Sequence, residues 1–361
     1  MLWKVGVIMK EIILGKTKIK TKENAFGCLP IQRDTVDVAV KLLRKAWDGG
    51  MTFFDTARAY TDSEEKIGKA FFGTDGENYG GPYLKRGDII IASKTTAKDV
   101  ETFWSHLNES LRLLNCGYLD IYQLHCVPQC FKPGDGTGLY EAMLEAREKG
   151  LIRHIGITTH KVGVAEEIVE SGLYETLQYP FSYLASDREL SLVKKCHEAD
   201  MGFICMKALA GGLITNSRAA QAYMTQFDGL VPIWGIQREK ELDEFLSYMD
   251  NPPEMDDEIR SFIEKERESL TGDFCRGCGY CLPCPMGIKI NDCARMSLMI
   301  RRAPSDKWLS EEKQLDMKKI EDCIGCRQCV SRCPYELDTP GLLKKNYADY
   351  QDILAGRVSI K

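Results

Sequence analysis

FFDTARAYTDSEEKIGKAF (53–71) joins a short apolar run to an amphipathic segment through a polar turn. The run Phe53–Phe54 reads as a strand that stops at Asp55 and Thr56. In the segment after it, Ile67, Ala70 and Phe71 recur at helical spacing, so a helix follows. The same alternation continues from about residue 25 to residue 250. Apolar runs occur at NAFGCL (24–29), TFFDT (52–56), IIIAS (89–93), LDIYQLH (119–125), IRHIGIT (152–158), ETLQYP (175–180), FICM (203–206) and LVPIWG (230–235). Helical segments such as TVDVAVKLLRKAWDGG (35–50), DVETFWSHLNESLRLLN (99–115) and REKELDEFLSYMD (238–250) lie between them. Eight strand–helix repeats predict an α/β chain closed as a (β/α)8 TIM barrel, because parallel strands need helical crossovers and eight of them close. EIILGKTKIK (11–20), with a Gly-Lys turn, predicts an N-terminal β-hairpin ahead of the barrel.

The chain has 361 residues, 44% of them apolar, which is enough for one large domain and a small one. Its 48 basic and 53 acidic side chains leave a net charge of −5, so neither nucleic acid nor an anionic membrane surface is an expected partner. Lys4 and Lys10 interrupt the first apolar stretch, which does not read as a signal peptide, and the first eight residues read as an extension ahead of Met9. No run reaches the roughly 20 apolar residues of a membrane span, so a cytoplasmic location is expected. The sequence divides into a barrel over 9–250, a linker helix over 251–272 begun by Pro252 and Pro253, and a cysteine-rich domain over 273–361.

In a barrel of this type the chemistry lies at the C-terminal ends of the strands. Asp55, Lys94 and His125 stand at three such ends, and Tyr60 follows Asp55 at the start of the next helix. Singly, each has a structural explanation: a helix cap, a solvated lysine, a satisfied core histidine. Together they can polarise and protonate a carbonyl. A buried carboxylate holds the lysine, the lysine lowers the tyrosine's pKa, and the histidine donates a second hydrogen bond to the substrate oxygen.

These residues, with FFDTARAYTDSEEKIGKAF, IIIASK (89–94), LDIYQLH, GLIRHIGITTH (150–160), LQYPFSYL (177–184) and LVPIWGIQREKELDEF (230–245), carry a resemblance to the aldo-keto reductase family. The resemblance implies a catalytic tetrad of Asp55, Tyr60, Lys94 and His125, and reduction of a small-molecule carbonyl, or oxidation of an alcohol, by hydride exchange with NADP or NAD. It also implies nicotinamide contacts at Thr158, Thr159 and Gln178, ring stacking near Phe181, and phosphate binding by Met206–Leu213 and Gly235–Glu244. Arg238 would suit the 2′-phosphate of NADPH, whereas Glu241 would suit the ribose hydroxyl of NADH.

Of fifteen cysteines, nine fall between Cys275 and Cys333. CRGCGYCLPCP (275–285) and CIGCRQCVSRCP (323–334) have the close spacing and terminal Cys-Pro of [4Fe–4S] ligand runs. Zinc is the competing reading, but its ligands come as spaced pairs. Two-cluster ferredoxins exchange the fourth cysteine of each run. By that rule one set is Cys275, Cys278, Cys281 and Cys333, and the other is Cys323, Cys326, Cys329 and Cys284. The gap before Cys284 is one residue short, and Cys293 is the substitute ligand if it is not a buried apolar residue. The 38 residues between Cys284 and Cys323 read as helices near 292–302 and 310–320. They resemble the helical ferredoxin-like domains of fumarate reductase iron–sulfur subunits, and the whole chain resembles the aldo-keto reductase branch with a C-terminal ferredoxin-type domain, common in anaerobes.

A nicotinamide delivers electrons in pairs and a cluster singly, a mismatch that a flavin usually converts; the chain has no GxGxxG fingerprint, although a barrel's phosphate site has room for FMN without one. Three functions follow: an oxidoreductase whose clusters exchange electrons with a substrate, a ferredoxin or another electron carrier; a carbonyl reductase with structural clusters; or a redox-sensing barrel with little turnover. The intact set of four residues favours the first over the third.

Overall fold

A computed structural model describes residues 9–73, 82–270, 274–302 and 306–359. The expected extension before Met9 and part of the loop after the second barrel helix, residues 74–81, lie outside them. The chain divides into two compact units. Residues up to Ala208, with Arg218–Asp256, form the first; Leu209–Ser217, with Asp257 onward, form the second.

The first unit begins with a hairpin, β1 (Glu11–Ile13) and β2 (Lys20–Lys22), turned by Gly15–Thr17 and a left-handed Lys18. Eight parallel strands follow: β3 (Ala25–Gly27), β4 (Phe53–Asp55), β5 (Ile90–Thr95), β6 (Leu119–Leu124), β7 (Ile152–Thr158), β8 (Thr176–Pro180), β9 (Gly202–Met206) and β10 (Leu230–Gly235). They close because β10 pairs with both β3 and β9. The crossovers are α1 (Val36–Asp48), α2 (Ser63–Phe71), α3 (Val100–Leu114), α4 (Leu139–Glu148), α5 (Val162–Ser171), α6 (Asp187–Glu198), α7 (Ser217–Met224) and α8 (Glu239–Asp250).

Local chemistry fixes where these helices start. Thr35 and Asp99 accept hydrogen bonds from Val38 and Thr102 amides, and Ser186 with Glu189 forms a capping box. Asn115 ends α3 in the left-handed conformation. Inside the barrel, Ala25, Phe53, Ala92, Ile121, Ile204 and Val231 form an apolar layer with Ile12 and Leu14 of the hairpin. Leu14 lies so close to Gly202 that a Cβ there would sit 2.6 Å from its Cγ. The hairpin therefore closes the N-terminal end and leaves the polar residues to the other.

The second unit contains α9 (Asp257–Ser269), α10 (Ile290–Cys293), α11 (Met296–Arg302), α12 (Glu311–Lys318), α13 (Gln328–Ser331) and α14 (Thr339–Leu354). Ile288, Ile290, Met296, Ile300, Met317 and Leu343 belong to its core. The helix expected near 292–302 is two pieces broken at Ala294–Arg295. The longest helix of the unit, α14, was not expected. Pro340 starts it, and Leu343, Asn346, Tyr350 and Ile353 line its buried face.

Candidate functional site

β4 ends on Asp55, β5 carries Lys94 near its C-terminal end, and His125 follows β6. The Lys94 Nζ donates to Asp55 Oδ2 at 2.6 Å and to the Thr56 carbonyl at 2.7 Å. Both side chains are almost fully enclosed, at 1% and 2% exposure. Tyr60 stands on the turn between β4 and α2. Its ring is edge-on to His125, centroids 5.7 Å apart, and Lys94 Nζ lies 5.2 Å from its centre. Asp55, Tyr60, Lys94 and His125 thus occupy one place.

Their electrostatics differ from the expectation in one respect. Burial, then the negative charge of Asp55 and the Cys126 thiol, hold the Tyr60 phenol well above its usual range. Lys94, whose ammonium faces Asp55 at 2.6 Å, does not bring the phenol below its usual range. Burial also pushes Asp55 up, and Lys94 opposes it. Burial, followed by the Lys94 charge, drives His125 down to about 3. At neutral pH the mouth holds a protonated phenol and a neutral imidazole.

Other groups at this mouth carried no sequence signal. Glu64, 1% exposed on α2, accepts from Ser93 Oγ at 2.6 Å and pairs with Arg58, whose Nη2 donates to the Thr61 carbonyl at 3.2 Å. This network ties the Tyr60 turn to the residue beside Lys94. Cys126 adopts φ +54° with its Sγ 3.7 Å from His160 Nδ1. His160 is buried, and burial, followed by the Lys207 charge, holds it well below its usual pKa. In sequence Glu64 looks like one more charge on an amphipathic helix, and only the fold encloses it.

The residues assigned to the nucleotide by resemblance do not behave as one group. Thr158 and Gln178 are register partners on β7 and β8, and both are buried. Gln178 accepts from Gln123 Nε2 at 2.9 Å and lies 3.4 Å from Asp55 Oδ2. Thr158 Oγ1 accepts from the Cys126 amide at 2.7 Å, and Thr159 Oγ1 donates to the Val127 carbonyl at 3.0 Å. Phe181 is buried in a ring cluster with Phe203, Tyr223 and Phe227. After β10 and Gly235, Arg238 and Glu241 engage each other. Glu241 Oε2 accepts the Gln237 and Arg238 amides at 3.0 Å each, and Arg238 Nε donates to Glu241 Oε1 at 2.7 Å. The carboxylate thus fills the anion position at the start of α8.

In the second unit the cysteine sets separate into two cavities. Cys275, Cys278, Cys281 and Cys333 line one. Cys284, Cys323, Cys326 and Cys329 line the other, which Cys281 also borders. Left-handed residues bend the backbone around them: Gly277 and Gly279 in the first run, Gly325 and Arg327 in the second. The Gly277 amide points at Cys275 Sγ, 3.4 Å away. Cys293 lines neither cavity. It is fully buried in the core, its thiol 3.6 Å from the Asp316 carbonyl. In the second run residues 324–328 are all exposed, Cys326 among them, whereas Cys275, Cys278, Cys281 and Cys333 are half-buried.

Among the described residues no helix is long and apolar enough to cross a membrane. Residues 11–231 match the aldo/keto reductase family, and residues 274–338 match a 4Fe-4S dicluster domain. The aldo-keto reductase YhdN of Bacillus subtilis is 29% identical over 205 residues, 53% of this chain and 58% of its own length. The chain therefore spans less than two thirds of that relative. L-galactose dehydrogenase of Arabidopsis thaliana is 27% identical over 221 residues, 56% of this chain and 66% of that protein. An aldo-keto reductase from Klebsiella pneumoniae, solved in complex with NADPH, shares the fold at TM-score 0.58 and 19% identity, covering 72% of this chain and 95% of that one. With the family match extending over more than half of its length, the chain belongs to the aldo/keto reductase family and carries a 4Fe-4S dicluster domain.

Proposed function

We infer that this protein is an NAD(P)H-dependent oxidoreductase that interconverts a carbonyl and an alcohol, and that its dicluster domain exchanges single electrons with the substrate or a carrier such as a ferredoxin. The observation that carries the first part is the enclosed Lys94–Asp55 pair beneath Tyr60 and His125. A bound nicotinamide supplies hydride. Tyr60, kept protonated by burial, gives its phenolic proton to the substrate oxygen, and neutral His125 orients that oxygen by a hydrogen bond. Lys94 holds the phenol's position and offsets the charge left on it, while Asp55 holds Lys94.

The residues present fit both kinds of absent group. Thr158 and Gln178 offer polar contacts beside Asp55 for a carboxamide. The Glu241 carboxylate at the start of α8 would accept a ribose hydroxyl and repel a 2′-phosphate, which favours NADH. Each cavity of the second unit is lined by one complete set of four thiols, Cys275, Cys278, Cys281, Cys333 and Cys284, Cys323, Cys326, Cys329. The exposure of residues 324–328 supports electron exchange over a purely structural role, since a staple gains nothing from a ligand open to solvent.

Tyr60→Phe tests the chemistry. Carbonyl reduction should fall by about 10²–10⁴-fold with NADH affinity unchanged; undiminished turnover would remove the assignment. Low-temperature EPR after adding NADH to anaerobic protein tests the wiring. A reduced-cluster signal without dithionite is expected, and its absence would leave the clusters structural.

A further inference from the structure

The segment Leu209–Ser217 connects β9 to α7, yet it groups with the second unit. Two arginines of that unit hold its carbonyls. Arg302 Nε donates to the Leu213 carbonyl at 2.7 Å and its guanidinium pairs with Glu266. Arg295 Nη1 donates to the Gly211 carbonyl at 2.9 Å. Among the described residues no carboxylate is within ion-pair distance of Arg295, whereas Arg302 pairs with Glu266.

Two glycines make room for the Arg295 guanidinium. Gly211 has φ +66°, and a Cβ there would lie 2.8 Å from Arg295 Nη1. Gly277 also has φ +66°, and a Cβ there would lie 2.7 Å from Arg295 Cζ. Gly277 stands between Cys275 and Cys278 and gives its amide to Cys275 Sγ. One cation is thus seated between the ligand loop of one cavity and the backbone of 209–217, at the break between α10 and α11.

We propose that Arg295 makes the order of segment 209–217 depend on the redox state of the cluster held by Cys275, Cys278, Cys281 and Cys333. One electron, supplied in the test by dithionite, adds one negative charge to that cluster and no bond is made or broken. The added charge attracts the guanidinium more strongly, and the guanidinium fastens the Gly211 carbonyl more firmly. By linkage, a guanidinium seated there favours the reduced cluster to the same extent. The proposal rests on the two-cluster reading above. Its output is a redox-dependent connection between β9 and α7, the seventh strand–helix passage of the barrel.

The test uses the full chain, purified anaerobically with iron quantified. Two [4Fe–4S] signals and about eight irons per chain in the wild type establish the two-cluster reading first; fewer would sink that reading and this proposal with it. In an EPR redox titration, Arg295→Gln should lower the reduced-to-oxidised ratio of one cluster about tenfold at fixed potential, about 59 mV for one electron. The other cluster should not move, and Arg295→Lys should stay near wild type. Amides of 209–217 should exchange severalfold more slowly in the reduced wild type, and this difference should vanish in Arg295→Gln. Arg302→Ala should loosen the segment in both redox states alike. With two clusters present, equal midpoints in the wild type and the Gln variant would overturn the proposal, as would redox-dependent exchange that survives the substitution.

Discussion

Lys94 Nζ lies 2.6 Å from Asp55 Oδ2, and neither side chain has meaningful access to solvent. Two charges taken out of water together are held by their mutual attraction, by the Thr56 carbonyl and by Gln178. Removing one partner leaves the other stranded. Lys94→Met should therefore cost on the order of 3–5 kcal/mol in a denaturant titration, and the double variant Lys94→Met, Asp55→Asn should recover a large share of it. Additive losses in that cycle would mean that the two groups do not act as a pair.

Nucleotide preference should turn on Glu241, whose carboxylate holds the Gln237 and Arg238 amides and engages the Arg238 guanidinium. Glu241→Gln frees that guanidinium and removes the repulsion. NADPH affinity should rise by about tenfold, with NADH changed far less, a shift of roughly 1.4 kcal/mol. Fluorescence titration of both nucleotides decides it, and an unchanged ratio would remove Glu241 as the discriminator.

Acid should weaken the fold through the mouth histidines. His125 titrates near 3 in the folded chain and near 6.5 unfolded, so between these values the unfolded state binds more protons. Its contribution to stability is complete above about pH 6.5 and is lost as pH falls toward 3. His160, held below its usual value by burial, acts with the same sign. His125→Gln should flatten this acid limb in chemical denaturation followed across pH 4–7. A limb of unchanged slope would show that His125 is not its source.

The ligand sets differ in what they require. Cys326 lines the second cavity, so Cys326→Ala should remove about half of the iron and one EPR species. Cys293 lines neither, so Cys293→Ser should keep all of it, with the fold destabilised by a hydroxyl in an apolar core. Full iron in the first variant, or half in the second, would redraw the sets.

The barrel was legible because strand and helix periods alternate with little ambiguity from NAFGCL to LVPIWG, and the gathering of Asp55, Tyr60, Lys94 and His125 at one mouth because three of them fall at strand ends and Tyr60 in the turn after the first. α14 was less legible, because its buried face mixes Leu343, Tyr350 and Ile353 with the polar Thr339 and Asn346, which blurs the apolar period. Glu64 and Lys66 could not be read as buried. Their enclosure depends on Arg58, Ser93 and the carbonyls of Ile31 and Asp34, contacts set by tertiary packing and not by local pattern. The grouping of 209–217 with the second unit likewise has no local signal, since it depends on arginines more than eighty residues away.

Residues 324–328 are open to solvent, whereas Cys275, Cys278 and Cys281 are partly covered. With a cluster held by each set, as proposed above, dioxygen should reach the one that Cys326 holds first. Protein handled in air should pass through a long-lived half-loaded form, stripped on the Cys326 side and intact on the other, before it becomes apoprotein. The ratio of iron to chain in any preparation then records its history of aeration, and assays of electron exchange need that ratio stated beside the rate.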